Sequence, residues 1–312
     1  MALIIYFFLF SPYRWWMVIN WLQVLMNSLV WGCMYLLATV GLSLTYGLSR
    51  FPNFAHAEYI TFGAYMAYMF FSILGLDLYL SVGLAVLSSA LLGGLSYILL
   101  FKPLKSRGAS LIHLMVASIG LGLLIRHTLM QVFGGGILSF KMIWSCIFIG
   151  PVVTTPLLLT AIVTAFIVAI LLHILLMKTK LGKAIRATAD NPELAAASGI
   201  DMDRVSLFTW LLGAALAGFS GVFLAMRSSL VPLLGWKVLL QAFAITLLGG
   251  IGSFYGTLAA SFILSLSENL GVVALTWLGL SADYRSAVAF IVLVSTLIVK
   301  PEGLISTVKR RA

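Results

Sequence analysis

The sequence predicts an all-α, polytopic helical membrane protein with eight or nine transmembrane helices and one additional short helix in a loop. Three observations predict this class. Hydrophobic residues make up 62% of the 312 residues and charged residues only 9%, whereas soluble domains carry about 25% charged residues. The mean hydropathy is +1.11. Residues 155–177 form an uncharged apolar run, and an α-helix needs about 20 such residues to cross a bilayer.

The first residues of the chain look additional to the membrane core. In residues 1–16 an apolar run is followed, after Arg14, by Trp15 and Trp16, and tryptophan favours the membrane–water interface. We therefore expect an interfacial N-terminal helix, with a short extra span as the alternative. A secretory signal fits poorly, because no basic residue precedes the apolar run and no small-residue cleavage site follows it.

The remaining spans follow in order along the chain. The predicted spans are 22–47, 54–74, 79–101, 111–133, 155–177, 207–228 and 286–300. The apolar stretch 236–276 is too long for one span and contains the glycine-rich break GGIGSFYG. We therefore expect two spans within it.

Basic residues predict the orientation of these spans. Most of the 19 lysines and arginines fall in loops on one side: Arg50, Lys102, Lys105, Arg107, Lys178, Lys180, Lys183, Arg186, Arg204, Lys300, Lys309, Arg310 and Arg311. The other side receives Arg14, Arg126, Lys141, Arg227, Lys237 and Arg285. Since lysine and arginine concentrate in cytoplasmic loops, the first side and the C-terminus are predicted to be cytoplasmic. The net charge of +10 therefore reflects membrane topology rather than nucleic-acid binding.

Several kinds of site are not indicated by the sequence. The pattern GxxxxGK[ST] is absent, so no P-loop holds ATP phosphates. The glycine run 249–256 has neither the spacing nor the βαβ context of a dinucleotide site. The four histidines show no paired metal-ligand spacing, and Cys33 and Cys146 read as small buried hydrophobic residues. We expect no cofactor bound by this chain, and a transport role is favoured over an intramembrane hydrolase.

The segment 178–206 carries signals for a separate short helix. Asn191 suits the N-cap, Pro192 the first helical position and Glu193 the first turn, and Gly199 is a natural stop after Leu194–Ser198. A helix of about two turns is unstable alone in water, so it must pack on something. The alanine-rich surface favours a docking element, and the alternative is an ordinary connector.

The segment GAALAGFSG, residues 213–221, repeats small residues four apart. Such spacing lets helix backbones approach closely within a membrane, so we interpret this stretch as a packing surface. Gly252 and Gly256 form a further GxxxG pair with the same expected role.

Two carboxylates fall within predicted spans, where ionisable groups indicate function. For Glu58 we expect helix-end structure, with Asn53 as N-cap, His56 at the third helical position and Arg50 as a partner; direct substrate contact is the alternative. For Glu268 we expect interhelical hydrogen bonding, with Ser265 or Ser267 as nearby candidates, or a position lining a translocation path.

Gly249, Gly250, Gly252 and Ser253 mark the glycine-rich break of the stretch 236–276. Broken helices in transporters expose backbone groups to aqueous cavities. The break is therefore a candidate part of the pathway, and close helix packing is equally compatible with it.

Four motifs, in order, resemble those of the permease subunits of branched-chain amino-acid importers of the ATP-binding-cassette (ABC) class. Arg186–Ile200 resembles the family's cytoplasmic loop, and Asn53-Phe54-Ala55-His56-Ala57-Glu58 resembles N-F-A-H-G-E. Leu248–Gly256 resembles L-G-G-x-G-S-x-x-G, and Lys300–Leu304 resembles R-P-x-G-L. The likeness runs from about residue 22 to 305. The chain departs from the family pattern at Ala57, where glycine is usual.

The resemblance implies one permease domain over residues 1–312, with 178–206 as its cytoplasmic coupling loop. A coupling helix would include Asn191, Pro192, Glu193, Leu194, Ala195, Ala196, Ala197 and Gly199. A translocation path or gate would include Asn53, Phe54, His56, Glu58, Gly249, Gly250, Gly252, Ser253 and Glu268.

The resemblance also implies the partners: cytoplasmic ABC ATPases that hold ATP and magnesium, a second homologous permease, an extracytoplasmic substrate-binding protein and the lipid bilayer of a prokaryotic cytoplasmic membrane. Nucleic acid is not implied. Branched-chain or other neutral amino acids are the expected cargo. The alternatives are urea or short amides, as in related permeases, and a stand-alone secondary transporter or channel.

Overall fold

The computed structural model describes residues 20–142, 144–299 and 303–305. The predicted N-terminal segment 1–16 and the end of the basic tail lie outside these residues. The described helices are α1 (Trp21–Ser49), α2 (His56–Tyr68), α3 (Leu78–Ser96), α4 (Lys102–Ser106), α5 (Leu111–Phe133), α6 (Pro156–Lys178), α7 (Lys180–Asp190), α8 (Pro192–Ala197), α9 (Met202–Arg227), α10 (Trp236–Gly249), α11 (Phe254–Trp277) and α12 (Arg285–Val299). Two short strands, β1 (Ile147–Ile149) and β2 (Val152–Thr154), pair as an antiparallel hairpin.

Within the described residues, seven helices are long and apolar enough to cross a membrane, which confirms the predicted polytopic helical class. They are α1, the continuous segment Leu78–Ser106, α5, α6, α9, α11 and the segment Ala282–Val299. The membrane-length segment Leu78–Ser106 joins α3 and α4 through a π-helical turn at Tyr97–Phe101.

One predicted span is close to its expected length and the next is shorter. α2 has 13 residues and continues without a gap into a π-helical turn at Met69–Ile73, so helix covers 56–73 of the predicted span 54–74. α10 has 14 residues, or about 21 Å at 1.5 Å per residue, against a hydrocarbon core of about 30 Å. The prediction of two full spans in 236–276 is therefore wrong for the first of them, because Gly250 at φ 95° ends α10.

The small-residue stretch of α9 lies at the centre of the bundle. Gly213 packs against Gly41 of α1, and Gly218 packs against Gly63 of α2 and Ser89 of α3. A Cβ atom at Gly221 would overlap the Ile60 carbonyl oxygen. The predicted packing role of 213–221 is confirmed. Gly252 and Gly256 do not act as one pair.

Gly252 instead packs on Gly47 of α1, whereas Gly256 packs on Gly249. The reason is the helix break between them: Gly252 lies in the loop and Gly256 in the first turn of α11, so the two glycines do not share one helical face.

The bundle has two distinct ends. One end, which we call the basic end, contains the C-terminal end of α1 at Arg50, together with α7 and α8. At this end Lys102 of α4 pairs with Asp203 of α9 at 2.9 Å. At the other, the hairpin end, the β1–β2 hairpin binds the start of α1. There the Gln23 side chain donates to the Val153 carbonyl at 3.1 Å and accepts from its amide at 2.8 Å. Cys146 next to β1 is exposed, not buried as expected, because it belongs to this surface loop.

The predicted short helix of the central loop is present as α8. The Asn191 side chain accepts a hydrogen bond from the Leu194 amide at 3.1 Å, and Pro192 is the first helical residue. Gly199 takes a positive φ of 81°, and the Ile200 amide closes the helix on the Ala195 carbonyl at 3.1 Å. The next helix is capped by Asp201, which accepts from the Arg204 amide.

Candidate translocation and coupling sites

The helices α2 and α10 both begin inside the bundle. The buried His56 ring donates from Nε2 to the Ala38 carbonyl at 2.8 Å, and Ala38 lies about 16 Å before the end of α1 by helical rise. Near the start of α10, the Gly235 amide donates to Thr61 Oγ1 of α2 at 3.0 Å, and a side chain at Gly235 would overlap the Ala57 carbonyl oxygen. The N-termini of α2 and α10 therefore meet at mid-depth.

The predicted N-cap of α2 is wrong in register. Asn53 Oδ1 accepts from the Ala55 amide at 3.1 Å, which caps a turn before the helix. The helix itself begins at His56, so His56 is its first residue rather than its third. Phe54 is held in the same turn, where its amide donates to Ser118 Oγ of α5 at 3.1 Å. Asn53 and Phe54 therefore belong to a turn that precedes α2 and not to the helix itself.

Glu58 pairs with Arg126 of α5, not with Arg50. The glutamate is fully buried, and its Oε1 accepts from Arg126 Nε at 3.1 Å and from Nη2. The Arg126 guanidinium also lies 4.9 Å from the centre of the Trp236 ring on α10. Arg50 cannot serve as the partner because it lies exposed at the end of α1. The ion pair therefore joins α2 and α5 beside the start of α10.

Glu268 of α11 forms interhelical hydrogen bonds as expected, but with a tyrosine and an arginine rather than with a serine. Its Oε2 accepts from the Tyr35 hydroxyl of α1 at 2.7 Å and from Arg285 Nε of α12 at 2.9 Å. The two serines expected as partners bond backbone carbonyls instead: Ser265 donates to Ser28 and Ser267 to Ile263. Serine hydroxyls within helices readily bond carbonyls, which leaves the carboxylate to the stronger donors.

The predicted helix break between α10 and α11 is present. Gly250 and Gly252 both have positive φ angles, which glycine adopts without strain. The Gly252 amide donates to Ser43 Oγ of α1 at 3.2 Å, and Ser253 Oγ caps α11 by accepting from the Gly256 amide at 3.1 Å. Hydrogen bonds therefore fix the break both to α1 and to the first turn of α11.

The described end of the C-terminal motif, Gly303 and Leu304, packs directly on this break. The Leu304 amide donates to the Leu248 carbonyl at 2.7 Å, and the Ile305 amide donates to the Gly249 carbonyl at 3.3 Å. These bonds occupy carbonyl groups that the end of a helix leaves without intrahelical partners. The described end of one sequence motif is therefore hydrogen-bonded to the helix break formed by another.

A cavity of about 270 Å³ separates this break from the central loop at the basic end. Leu48 of α1, Ile185 of α7 and Phe254 of α11 contribute to its walls, together with Gly252 and Arg186. Ile185 is buried, so α7 packs on the bundle through its apolar side. Movement of α7 would therefore change the space next to the helix break.

α8 carries its exposed side chains away from the bundle. Ala195 is buried, whereas Leu194 is 65% exposed and Ala196 and Ala197 are also exposed. The outward surface of α8, formed by Glu193, Leu194, Ala196 and Ala197, is therefore free to receive a partner.

Sequence reasoning missed the cationic and aromatic partners of the buried carboxylates. Arg126 lies within the apolar run 111–133, and a lone cation inside a span is a signal of a buried partner. Tyr35 and Trp31 gave no comparable signal, since aromatic residues are common in membrane helices. Among the described residues, no group of three or more His, Cys, Asp or Glu side chains could hold a metal ion.

Broken helices, buried ion pairs and an exposed capped helix in one apolar bundle define a multi-pass membrane protein of the transport type. The model of the family "Branched-chain amino acid transport system / permease component" matches residues 24–297. The chain belongs to this family.

Individual relatives agree with the family match. The chain is 30% identical to the probable branched-chain amino acid transport permease LivH of Methanocaldococcus jannaschii, over 90% of this chain and 91% of the relative. It is 27% identical to LivH of Escherichia coli K12, over 91% and 95%. It is also similar to LivM of Salmonella typhimurium, a branched-chain amino acid permease, at 27% identity over 76% of this chain and 61% of the relative.

Proposed function

We propose that this chain is the membrane permease subunit of an ABC importer that carries branched-chain or other neutral amino acids across a prokaryotic cytoplasmic membrane. The family match supports the class, and the names of the relatives support the cargo. The observation that carries the mechanism is α8, a short helix capped at both ends whose outward surface has no partner within the described chain.

The orientation follows from charge. The basic end collects lysines and arginines from the loops around α4 and α7, and such loops remain cytoplasmic. α8 and the C-terminus would then face the cytoplasm, and the hairpin end would face outside. In this orientation the hairpin end receives a loaded substrate-binding protein, and α8 receives an ATPase that holds ATP and magnesium.

A second, homologous permease would complete the pathway. The similarity of this chain to both LivH and LivM relatives supports a pair of related subunits. Several helices expose apolar surface, as Leu123 and Leu124 do on α5 and Ile170 and Leu171 on α6. These surfaces face either lipid or the second subunit.

The proposed coupling runs from α8 through α7 to the helix break. ATP-driven closure of the ATPases would move α8 and, through the loop 178–206, the helices α6 and α9. α7 contacts both the bundle and the cavity beside Gly252 and Ser253, so its movement would open or close the path at the break. Asn53, Phe54, His56, Glu58 and Glu268 would hold the path's shape within the bundle.

The docking role of α8 is tested by Ala196→Trp. Ala196 is exposed on α8, so an indole there should block the ATPase without disturbing insertion of the chain. We expect loss of ATP-dependent leucine uptake, with either loss of the co-purifying ATPase or ATP hydrolysis that no longer drives uptake.

The matched control is Ser106→Trp, which adds an indole at another exposed position of the basic end. Normal uptake by the Ala196→Trp complex would refute the docking role. ATP-independent uptake by the chain alone would instead favour a secondary transporter or channel, and competition by urea but not by amino acids would favour an amide permease.

A further inference from the structure

A cluster of charged and aromatic side chains lies on the hairpin-end side of the bundle. The Arg285 and Arg227 guanidinium carbons lie 4.3 Å and 4.8 Å from the centre of the Trp31 ring. Tyr35, one helical turn after Trp31, binds the fully buried Glu268. Four helices, α1, α9, α11 and α12, therefore contribute to one site, which we call the Trp31 cluster.

The Trp31 cluster carries two positive side chains, Arg227 and Arg285, and one negative side chain, Glu268. Glu268 is already paired with Arg285, and Arg227 has no acidic partner in the part of the chain that the structure describes. Two like charges beside the same ring repel each other more strongly where water is scarce. A second carboxylate at Arg227 would relieve this repulsion.

Three polar atoms of the cluster are buried without a hydrogen-bond partner in the described residues. They are Glu268 Oε1, Arg285 Nη2 and Arg227 Nη1. Each such atom costs about 1–3 kcal/mol, and more when charged. The site thus offers one unused acceptor and two unused donors.

The unused groups are the complement of an α-amino acid, whose ammonium group donates and whose carboxylate accepts. We propose that the Trp31 cluster binds the backbone groups of an amino acid that passes through the permease, an inference that rests on the proposed function. The substrate carboxylate binds Arg227 and Arg285, its ammonium group binds Glu268 Oε1, and the Trp31 ring supplies apolar surface beside them.

The position of the cluster fits this role. Trp31 lies about 15 Å along α1 from its first residue by helical rise, and Trp31, Arg227 and Arg285 are all partly exposed. A cation within a membrane faces water or an opposite charge rather than lipid chains. The partly exposed arginines of the cluster therefore lie within the membrane, where they need water or an anionic partner.

Two other occupants satisfy only part of the site. The phosphate of an anionic lipid or a carboxylate of the second permease would pair with the arginines, but neither carries an ammonium group for Glu268 Oε1. An amino acid supplies both kinds of group in one molecule.

The test uses the complete complex with its ATPases and binding protein in proteoliposomes. Arg227→Gln should lower leucine uptake about tenfold or more, the effect of losing one charge-assisted hydrogen bond. ATP hydrolysis stimulated by the loaded binding protein should be retained. Arg227→Lys should keep part of the uptake, and the control Lys141→Gln, which removes an exposed cation from a loop near the hairpin end, should behave as wild type.

Three outcomes would overturn the inference. The first is wild-type uptake by Arg227→Gln. The second is that Arg227→Gln loses uptake, ATPase stimulation and assembly together, which indicates a contact with the second permease. The third is a requirement for anionic lipid that Arg227→Gln abolishes, which indicates a lipid site. If the wild-type complex does not import leucine at all, the proposed function is wrong and the inference falls with it.

Discussion

At the scale of single residues, two glutamates held by arginines define the interior of this membrane protein. Glu58 and Glu268 are both fully buried, and each pairs with an arginine from a neighbouring helix that also lies beside a tryptophan ring. The desolvation penalty of such pairs is large. Their presence is best explained by a need for charge inside the bundle rather than by stability.

The Glu58–Arg126 pair should show the energetics of a buried ion pair. Arg126→Met leaves Glu58 buried without a cation and should destabilise the protein by about 3–5 kcal/mol. Adding Glu58→Gln should recover part of that loss, because the uncompensated charge is removed. Thermal unfolding of the purified protein in detergent measures both variants.

The control for this comparison is Arg204→Met. Arg204 pairs with Asp201 at the surface, where the side chains are 87% and 50% exposed, so the expected loss is at most about 1 kcal/mol. A double variant at positions 58 and 126 that is no more stable than Arg126→Met would contradict the buried-pair account.

The sequence was informative about which residues are charged inside the membrane but not about their partners. Glu58 and Glu268 stand out in apolar runs. Arg126 is 68 residues from Glu58, and only the packing of α5 on α2 brings them together. Sequence reasoning favoured Arg50 as the partner because it lies close to Glu58 along the chain. It missed Arg126 because local sequence does not show which helices pack together.

At the scale of helices, local signals were strong where the chain is capped and weak where it is broken in the membrane. Asn191, Pro192 and Gly199 predicted α8 correctly because caps are encoded within a few residues. The bounds of α2 and α10 lie close to those predicted, but local signals did not show that both helices begin inside the bundle. Their conformation depends on contacts with α1 and with each other.

The small-residue surface of α9 gives a sharp prediction for helix packing. Gly221→Ala places a Cβ atom against the Ile60 carbonyl oxygen and should lower the melting temperature. Gly120→Ala in α5 adds a Cβ atom where no neighbour lies within 4 Å, so it should be neutral or slightly stabilising, since alanine favours helix over glycine by about 1 kcal/mol. Equal melting temperatures for the two variants would contradict the packing account.

At the scale of the whole molecule, the distribution of charge predicts which end faces the cytoplasm. Native cysteines can report this orientation, because Cys146 near the hairpin is exposed and Cys33 in α1 is buried. A membrane-impermeant maleimide should label Cys146 in intact cells, and Cys146→Ser should abolish the signal. A cysteine introduced as Ser106→Cys at the basic end should react only in inside-out vesicles.

The opposite labelling pattern would reverse the orientation and place α8 outside the cell. An ATPase could not then reach α8. The orientation therefore bears on the coupling proposal as a whole, whereas the family and the helical class stand independently of it.

The most direct measurement is leucine uptake by proteoliposomes that contain this chain with its second permease, its ATPases and its binding protein. We predict uptake that requires both ATP and the ATPase subunits, and that Ala196→Trp abolishes while Ser106→Trp does not. Uptake that persists without ATP, or that Ala196→Trp leaves intact, would contradict the account of a permease driven through α8.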